Sequence, residues 1–241
     1  MLHAAIITAT LPVTTHSMQL SRGFFQWHQS TASLLLNDSD GSILVHPVTA
    51  LGFVTQTEVL KCSHAYTISG PLSYEVDTGT TIIQHNAGTH VDVGEFKATY
   101  RRLVGRATLS GLGRIAAVNF IETTDDVFQW NLEIVATHDY YHPIHQLKFS
   151  QTRRSFSFQV TYHFFRHTPP PRKWGKLTVG KTVWLHGNIM SKHTASGNFV
   201  VHAADVTVIR SLITAFQRSN CSTPAANTPG CANNHRVPPP L

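Results

Sequence analysis

The sequence predicts an all-β chain: a small five-stranded Greek-key barrel over residues 95–212, preceded by an irregular β-rich region at 1–94 and followed by a tail at 213–241 without regular structure. Three observations carry this reading. Between residues 107 and 209 five strand-like runs recur with turn chemistry between them, no comparable stretch repeats with the 3.6-residue period of an amphipathic helix, and the last residues are rich in Pro, Asn and Ser. The 241 residues include 41% hydrophobic and only 13% charged side chains, enough apolar material for a buried core and too little charge for a disordered polyelectrolyte.

Each run has its own justification. Ala107–Phe120 carries Gly111 and Gly113, which suit a bulge or sharp coil in a long first strand. In the second run Phe128, Trp130, Leu132, Ile134 and Ala136 alternate with Gln129, Asn131, Glu133 and Val135, as expected of a half-buried strand. Ser155–Phe165 alternates more strictly, with Phe156, Phe158, Val160, Tyr162 and Phe164 on one face, which is read as barrel core. Lys181–Met190 and Asn198–Ile209 complete the set, joined by a hairpin-like Ser191–Gly197 connection. Upstream, from Phe24 to Val91, short apolar runs at 33–36, 43–45, 51–54 and 81–83 are broken by turn clusters and read as short strands, while residues 1–21 show no clean period.

Five strands with a glycine-bearing first strand and a long third connection, His167–Gly180, fit the OB barrel. The segment Lys176-Leu-Thr-Val-Gly180-Lys-Thr-Val-Trp-Leu-His-Gly187-Asn-Ile189, with Asn198-Phe-Val-Val-His-Ala-Ala-Asp205-Val-Thr-Val-Ile209 after it, resembles the closing hairpin of OB-fold proteins related to single-strand-binding protein and replication protein A. Tyr162-His-Phe-Phe-Arg-His-Thr168-Pro-Pro-Pro-Arg172-Lys-Trp174 is similar to uncharacterised fungal proteins of this fold. The resemblance implies a single-stranded nucleic-acid partner, DNA or RNA. It covers less than half of the chain.

Charge points the same way. The net charge is +6, but residues 1–139 carry −5 and residues 140–241 carry +11. A half of that sign favours a polyanion. Single strands are held by a basic groove that follows the phosphates and by aromatic faces on which bases stack. The candidate cations are Arg153, Arg154, Arg166, Arg172, Lys173, Lys176, Lys181 and Lys192, and the candidate stacking rings are Phe165, Trp174 and Trp184, chosen because they break a polar face or sit among basic residues. The alternative is a structural or protein-interaction barrel whose N-terminal region or sheet edges meet a protein partner.

Other chemistries find little support. His138, His142 and His145 cluster in THDYYHPIHQ, but Pro143 breaks any helix that would align them, and the simplest reading is a loop of solvent-exposed imidazoles, with no metal and no cofactor. No Gly-x-Ser-x-Gly elbow occurs, Gly180-Lys181-Thr182 lacks the preceding glycine of a phosphate loop, and Gly111-Leu-Gly113 lies in a β context unsuited to a dinucleotide fingerprint, so the chain is not read as an enzyme. Cys62, Cys221 and Cys231 are too few for a disulfide framework, no charged segment precedes Arg22 as in a signal peptide, and no apolar run spans a bilayer. These features predict an intracellular protein away from the membrane, the nucleus ahead of the cytoplasm.

Overall fold

The computed structural model describes residues 4–21, 23–37, 41–75, 78–96, 100–122, 130–141, 155–164, 171–193 and 196–209. The tail expected at 213–241 lies outside them. The five predicted runs are strands: β8 (Ala107–Glu122), β9 (Trp130–Tyr140), β10 (Phe156–Phe164), β11 (Thr182–Lys192) and β12 (Phe199–Val208). β8 pairs with β9 and β9 with β10, β10 runs parallel to β12, β12 pairs with β11, and β11 returns to β8. The ring is therefore closed in Greek-key order, and the all-β, OB-like fold class stands.

Alternation assigns the faces correctly. Leu132, Ile134, Ala136, Val160, Tyr162, Phe164 and Leu185 all lie in the core with almost no exposed surface. The Trp130 side chain is outside the described residues. Gly111 and Gly113 require a correction, because the irregularity in β8 falls between Ile115 and Ala117 rather than at the glycines. They serve close approach instead: a Cβ on Gly111 would strike the Ala4 carbonyl, and one on Gly113 the His138 ring. His138 corrects another expectation. It sits on β9 inside the barrel, fully buried, where Nδ1 donates to the Leu112 carbonyl at 2.8 Å and Nε2 meets the Tyr162 hydroxyl at 2.9 Å. Both ring nitrogens are thus satisfied by the barrel itself. His142 and His145 lie outside the described residues.

The first half is β-rich as expected, and the structure gives its short runs an order. Its strands are β1 (Ala5–Pro12), β2 (Met18–Gln19), β3 (Gln26–Asn37), β4 (Ile43–Val54), β5 (His64–Tyr74), β6 (Thr81–Asn86) and β7 (His90–Glu95). β3 pairs with β4, β4 runs parallel to β6, β6 pairs with β5, and β5 pairs with β1. The Val13–Ala32 bridge, with the Thr14 N–H donating to the Thr31 carbonyl, brings the end of β1 back to β3. This circuit repeats the pairing order of the second ring. β1 and β8, the first strands of the two rings, pair antiparallel from Ala5–Gly111 to Ala9–Ala107 and make one continuous sheet. Ile7 lies opposite Leu109 in that pairing, and the same two residues occupy equivalent places, since Ile7 pairs with Gly70 of β5 and Leu109 with Gly187 of β11.

Side chains also join the rings. Tyr74, at the end of β5, places its ring 5.0 Å from Phe158 and 6.3 Å from Tyr140, and Tyr140 stacks on Phe156 at 5.5 Å. Phe158 is thus only half buried on its own strand and meets part of its cover across the junction. His46 of β4 contacts the Thr81 hydroxyl at 2.8 Å and lies edge-on to Phe199, over which Lys192 Nζ sits at 5.5 Å.

Burial first, and the Lys192 charge second, hold the His46 pKa down at about 4, and burial with His90 holds that of His85 at about 3. A base whose pKa is lower folded than unfolded takes up a proton on unfolding, so its contribution to stability is complete above about 6.5 and is lost as pH falls towards the folded value. Urea unfolding between pH 7.5 and 4 is therefore expected to show stability declining from about pH 6.5, before most carboxylates titrate. A flat curve between pH 6.5 and 5 would contradict this.

Candidate nucleic-acid interface

Alternation along β3 and β4 directs Trp27, Gln29 and Thr31, with Phe53, Leu51 and Thr49, onto the outer face of the first ring, and the register pairs them as Trp27–Phe53, Gln29–Leu51 and Thr31–Thr49. One end of this face is aromatic. Trp27 lies 5.2 Å from Phe53, Phe25 stacks on Phe53 at 5.7 Å, and Phe24 meets Phe25 edge-on at 5.3 Å. Phe24 is 80% exposed, Phe25 51% and Phe53 42%.

The cluster is held by the chain before it. β2 pairs with β3, the Trp27 N–H donates to the Ser21 hydroxyl at 2.8 Å, the Leu20 N–H donates to the Trp27 carbonyl at 2.7 Å, and Gly23 turns the chain at φ 137°. Adjacent exposed rings on a backbone fixed in this way form a surface suited to a ligand with flat apolar faces.

One step along the strands from Trp27 and Phe53, a cavity of about 290 Å³ opens on the same face. Gln29, Thr49, Leu51 and Ile82 of the sheet line it, together with Glu75, Thr78 and Thr80 from the β5–β6 connection. Hydrogen bonds tie the described ends of that connection together: the Glu75 N–H donates to the Thr80 carbonyl at 2.9 Å, the Gly79 N–H returns to the Glu75 carbonyl at 2.8 Å, and Gly79 takes φ 66°. The Thr78 and Thr80 hydroxyls lie 2.8 Å apart at the rim. In OB barrels the second and third strands and the loop between the fourth and fifth form the ligand face. β3, β4 and the 75–80 connection hold those positions here.

The corresponding face of the second ring differs. There Glu133 pairs with His163 at 3.0 Å and accepts from the Asn119 amide at 2.8 Å, and the register continues through Val135–Thr161, Thr137–Gln159 and Asp139–Ser157. Among the described residues of that face none is aromatic except His163.

The candidate residues from the sequence fall in several places. Arg153, Arg154, Phe165 and Arg166 lie outside the described residues. Arg172 and Lys173 belong to a short 3-10 turn, Pro171–Lys176, between β10 and β11, and their side chains are not described. Trp174 in that turn is half buried against the core, 5.4 Å from the Phe120 ring. Lys176 and Lys181 are exposed. Trp184 stacks on His186 at 5.8 Å on β11, which pairs with β8 and β12 rather than with β9 or β10. Lys192 is half buried at the junction beside Phe199, and burial pushes its pKa down. The Phe24–Phe53 cluster was not among the candidates. Its sequence signal is Phe24-Phe25-Gln26-Trp27, three aromatics in four residues beside a strand.

No protein-family model matches the chain, and no curated protein matches it. Solved structures do show likeness. The wild-type single-stranded DNA binding protein from Thermus aquaticus aligns over 87% of this chain and 94% of its own, at 11% identity and a TM-score of 0.45. The small single-stranded DNA-binding protein from Streptomyces coelicolor aligns over 42% of this chain and 91% of its own, at 12% identity and TM-score 0.32. A replication protein A heterotrimer bound to single-stranded DNA aligns over 92% of this chain and 54% of its own, at 11% identity and TM-score 0.24. The OB-like assignment itself rests on the strand pairing.

Proposed function

We propose that this chain is a single-stranded nucleic-acid-binding protein rather than an enzyme, and that it holds bases on the outer face of β3 and β4. The Phe24–Phe25–Trp27–Phe53 cluster, with the three phenylalanines exposed and Trp27 half buried, placed where an OB barrel presents its ligand face, carries the reading. Stacking on aromatic rings tolerates any base, since each has a π-face. The solved neighbours named above are single-stranded DNA-binding proteins, which agrees with this direction. The partner is DNA or RNA, the setting intracellular with the nucleus ahead of the cytoplasm, and the domains are 1–94, 95–212 and a tail from 213. No helix among the described residues is long and apolar enough to cross a membrane.

The first half carries net −5, so attraction for phosphates falls to the second half at +11. Arg153, Arg154, Arg166, Arg172, Lys173, Lys176, Lys181 and Lys192 are the proposed phosphate partners, with Phe165, Trp174 and Trp184 as further stacking rings. Titrating a labelled mixed-sequence oligonucleotide at several salt concentrations tests this by fluorescence anisotropy. Affinity is expected to fall steeply with salt, and replacing both Arg172 and Lys173 with Ala to reduce the log–log slope by about 0.7 per lost contact. No binding at low salt would overturn the proposal.

A second reading has its own observation. β7 pairs with β5 and displays Val91 and Val93, 66% and 58% exposed, the kind of strand a protein partner covers. Such a contact would respond weakly to salt.

A further inference from the structure

We infer that the outer face of β8 and β11 is a second contact surface for single-stranded nucleic acid, with the Trp184–His186 stack as its base platform and Arg114 as an added phosphate partner. This rests on the reading of the chain as a single-strand binder, not on the β3–β4 face.

The strands place the parts. Along β11, Val183 and Leu185 enter the core while Thr182, Trp184 and His186 face outward. Their partners on β8 are Arg114, Leu112 and Ser110, with Arg114 exposed. Trp184 and His186 lie nearly parallel, at 13° and 5.8 Å, close to the ~6.5 Å that two residues span along a strand. One indole face is therefore taken by the imidazole. The other looks along β11 towards Thr182, a side chain short enough to leave room for a base.

Positive charge lies on that same side. Arg114 is opposite Thr182 and so diagonal to Trp184, a separation of about 7–8 Å that a long side chain bridges. Lys181 precedes Thr182 and is pinned beside Arg114, since its carbonyl accepts from the Ile115 N–H at 2.9 Å, and it too is exposed. Asp205 stands opposite His186, at the other end of the stack, where its Oδ1 accepts the Val206 N–H at 2.7 Å. A guanidinium fork and an ammonium beside one open ring face supply what a nucleotide needs, phosphate contacts next to a stacking plane.

The second ring has another outer face, and charge decides against it. β9 and β10 present Glu133 and Asp139 there, and no Lys or Arg among the described residues. Carboxylates on that face repel the phosphates that Arg114 and Lys181 attract. A strand held by the second ring therefore runs over β8 and β11.

The test uses the full chain and anisotropy of a labelled oligothymidylate of about 30 nucleotides, long enough for two OB-sized sites of ~4–16 nucleotides each. Trp184→Ala is expected to weaken binding about five- to 150-fold, as for one lost base stack, and Trp184→Phe by less. Arg114→Ala is expected to lower the log–log salt slope by about 0.7. Because the two surfaces are separate, the losses in Trp27→Ala and Trp184→Ala should multiply. An oligomer carrying 5-iodouracil, irradiated in the complex, should cross-link to the peptide that contains Trp184. Parent-like binding by Trp184→Ala and Arg114→Ala, with no cross-link at that peptide, overturns this surface and leaves the β3–β4 face intact. Parent-like binding by Trp27→Ala, with loss in the other two, supports this surface and overturns the β3–β4 face. Absence of binding by the parent overturns both. A parent dimer that Trp184→Ala converts to monomer in sedimentation velocity places a second copy on this face and overturns the proposal. Trp184→Phe keeps a ring in place and Arg114 is exposed, so these two decide even if Trp184→Ala folds poorly.

Discussion

Replacing Trp27 with Ala is expected to weaken single-strand binding by about 1–3 kcal/mol, and Phe53→Ala by a similar amount, the range for loss of one base–aromatic stack. The rings lie 5.2 Å apart, so one base can contact both, and the double variant should lose less than the sum of the two. The salt slope should stay as it is, because no phosphate contact is removed. This separates the cluster from the basic half, where Arg172 and Lys173 are expected to change the slope. Phe53 is 42% exposed, so its truncation opens no deep cavity, and a thermal melt of each variant checks that the fold persists. If Trp27→Ala and Phe53→Ala bind as the parent does while Trp174→Ala does not, the ligand lies on the second barrel, as the sequence alone suggests.

That contrast shows what the sequence could convey. The second barrel was legible because β10 and β9 alternate strictly, and their inward residues are mostly large and apolar, with Ala136 and His138 as the exceptions. The first ring was harder to read. β3 is buried without a break from Ala32 to Leu36, so its alternation vanishes where the 100–105 segment approaches it, as in the hydrogen bond from the Gly105 N–H to the Leu35 carbonyl. β4 carries Pro47, which reads as a strand breaker and is tolerated in the pairing with Ser33.

The site was missed for a related reason. Charge clusters are visible in sequence, whereas exposure of an aromatic residue is not, and Phe24, Phe25 and Trp27 look like core until the β2–β3 pairing turns them outward. Glu75 and Gln29 stand 46 positions apart, and only the circuit of strands brings them to one cavity. One signal of the repeat was available. Tyr66-Thr-Ile68-Ser-Gly70 has the pattern of Val183-Trp-Leu185-His-Gly187, the segment on which the OB resemblance rests.

Those two glycines carry the other large effect. Gly70→Ala and Gly187→Ala are each expected to destabilise the protein by about 1–3 kcal/mol or more, because the added methyl meets backbone rather than a movable side chain. On Gly70 it would run into the Gln84 carbonyl of β6, and on Gly187 into the His202 carbonyl of β12. In both rings the fourth strand here presses against the fifth, so a Cβ must either break the pairing or push the strands apart. The register marks the strain at Gly187, where β11 shifts against β12 between His186 and Gly187. Since β1 and β8 join the rings in one sheet, a single thermal transition is expected to move down in both variants, by roughly 2–4 °C for each kcal/mol in a protein of this size. Gly175, with open space around its Cβ position, is the control, and Gly175→Ala should melt close to the parent. Differential scanning calorimetry decides the matter. A Gly187→Ala transition that falls while Gly70→Ala melts like the parent would mean that the two rings do not share the close strand crossing that makes their glycines equivalent.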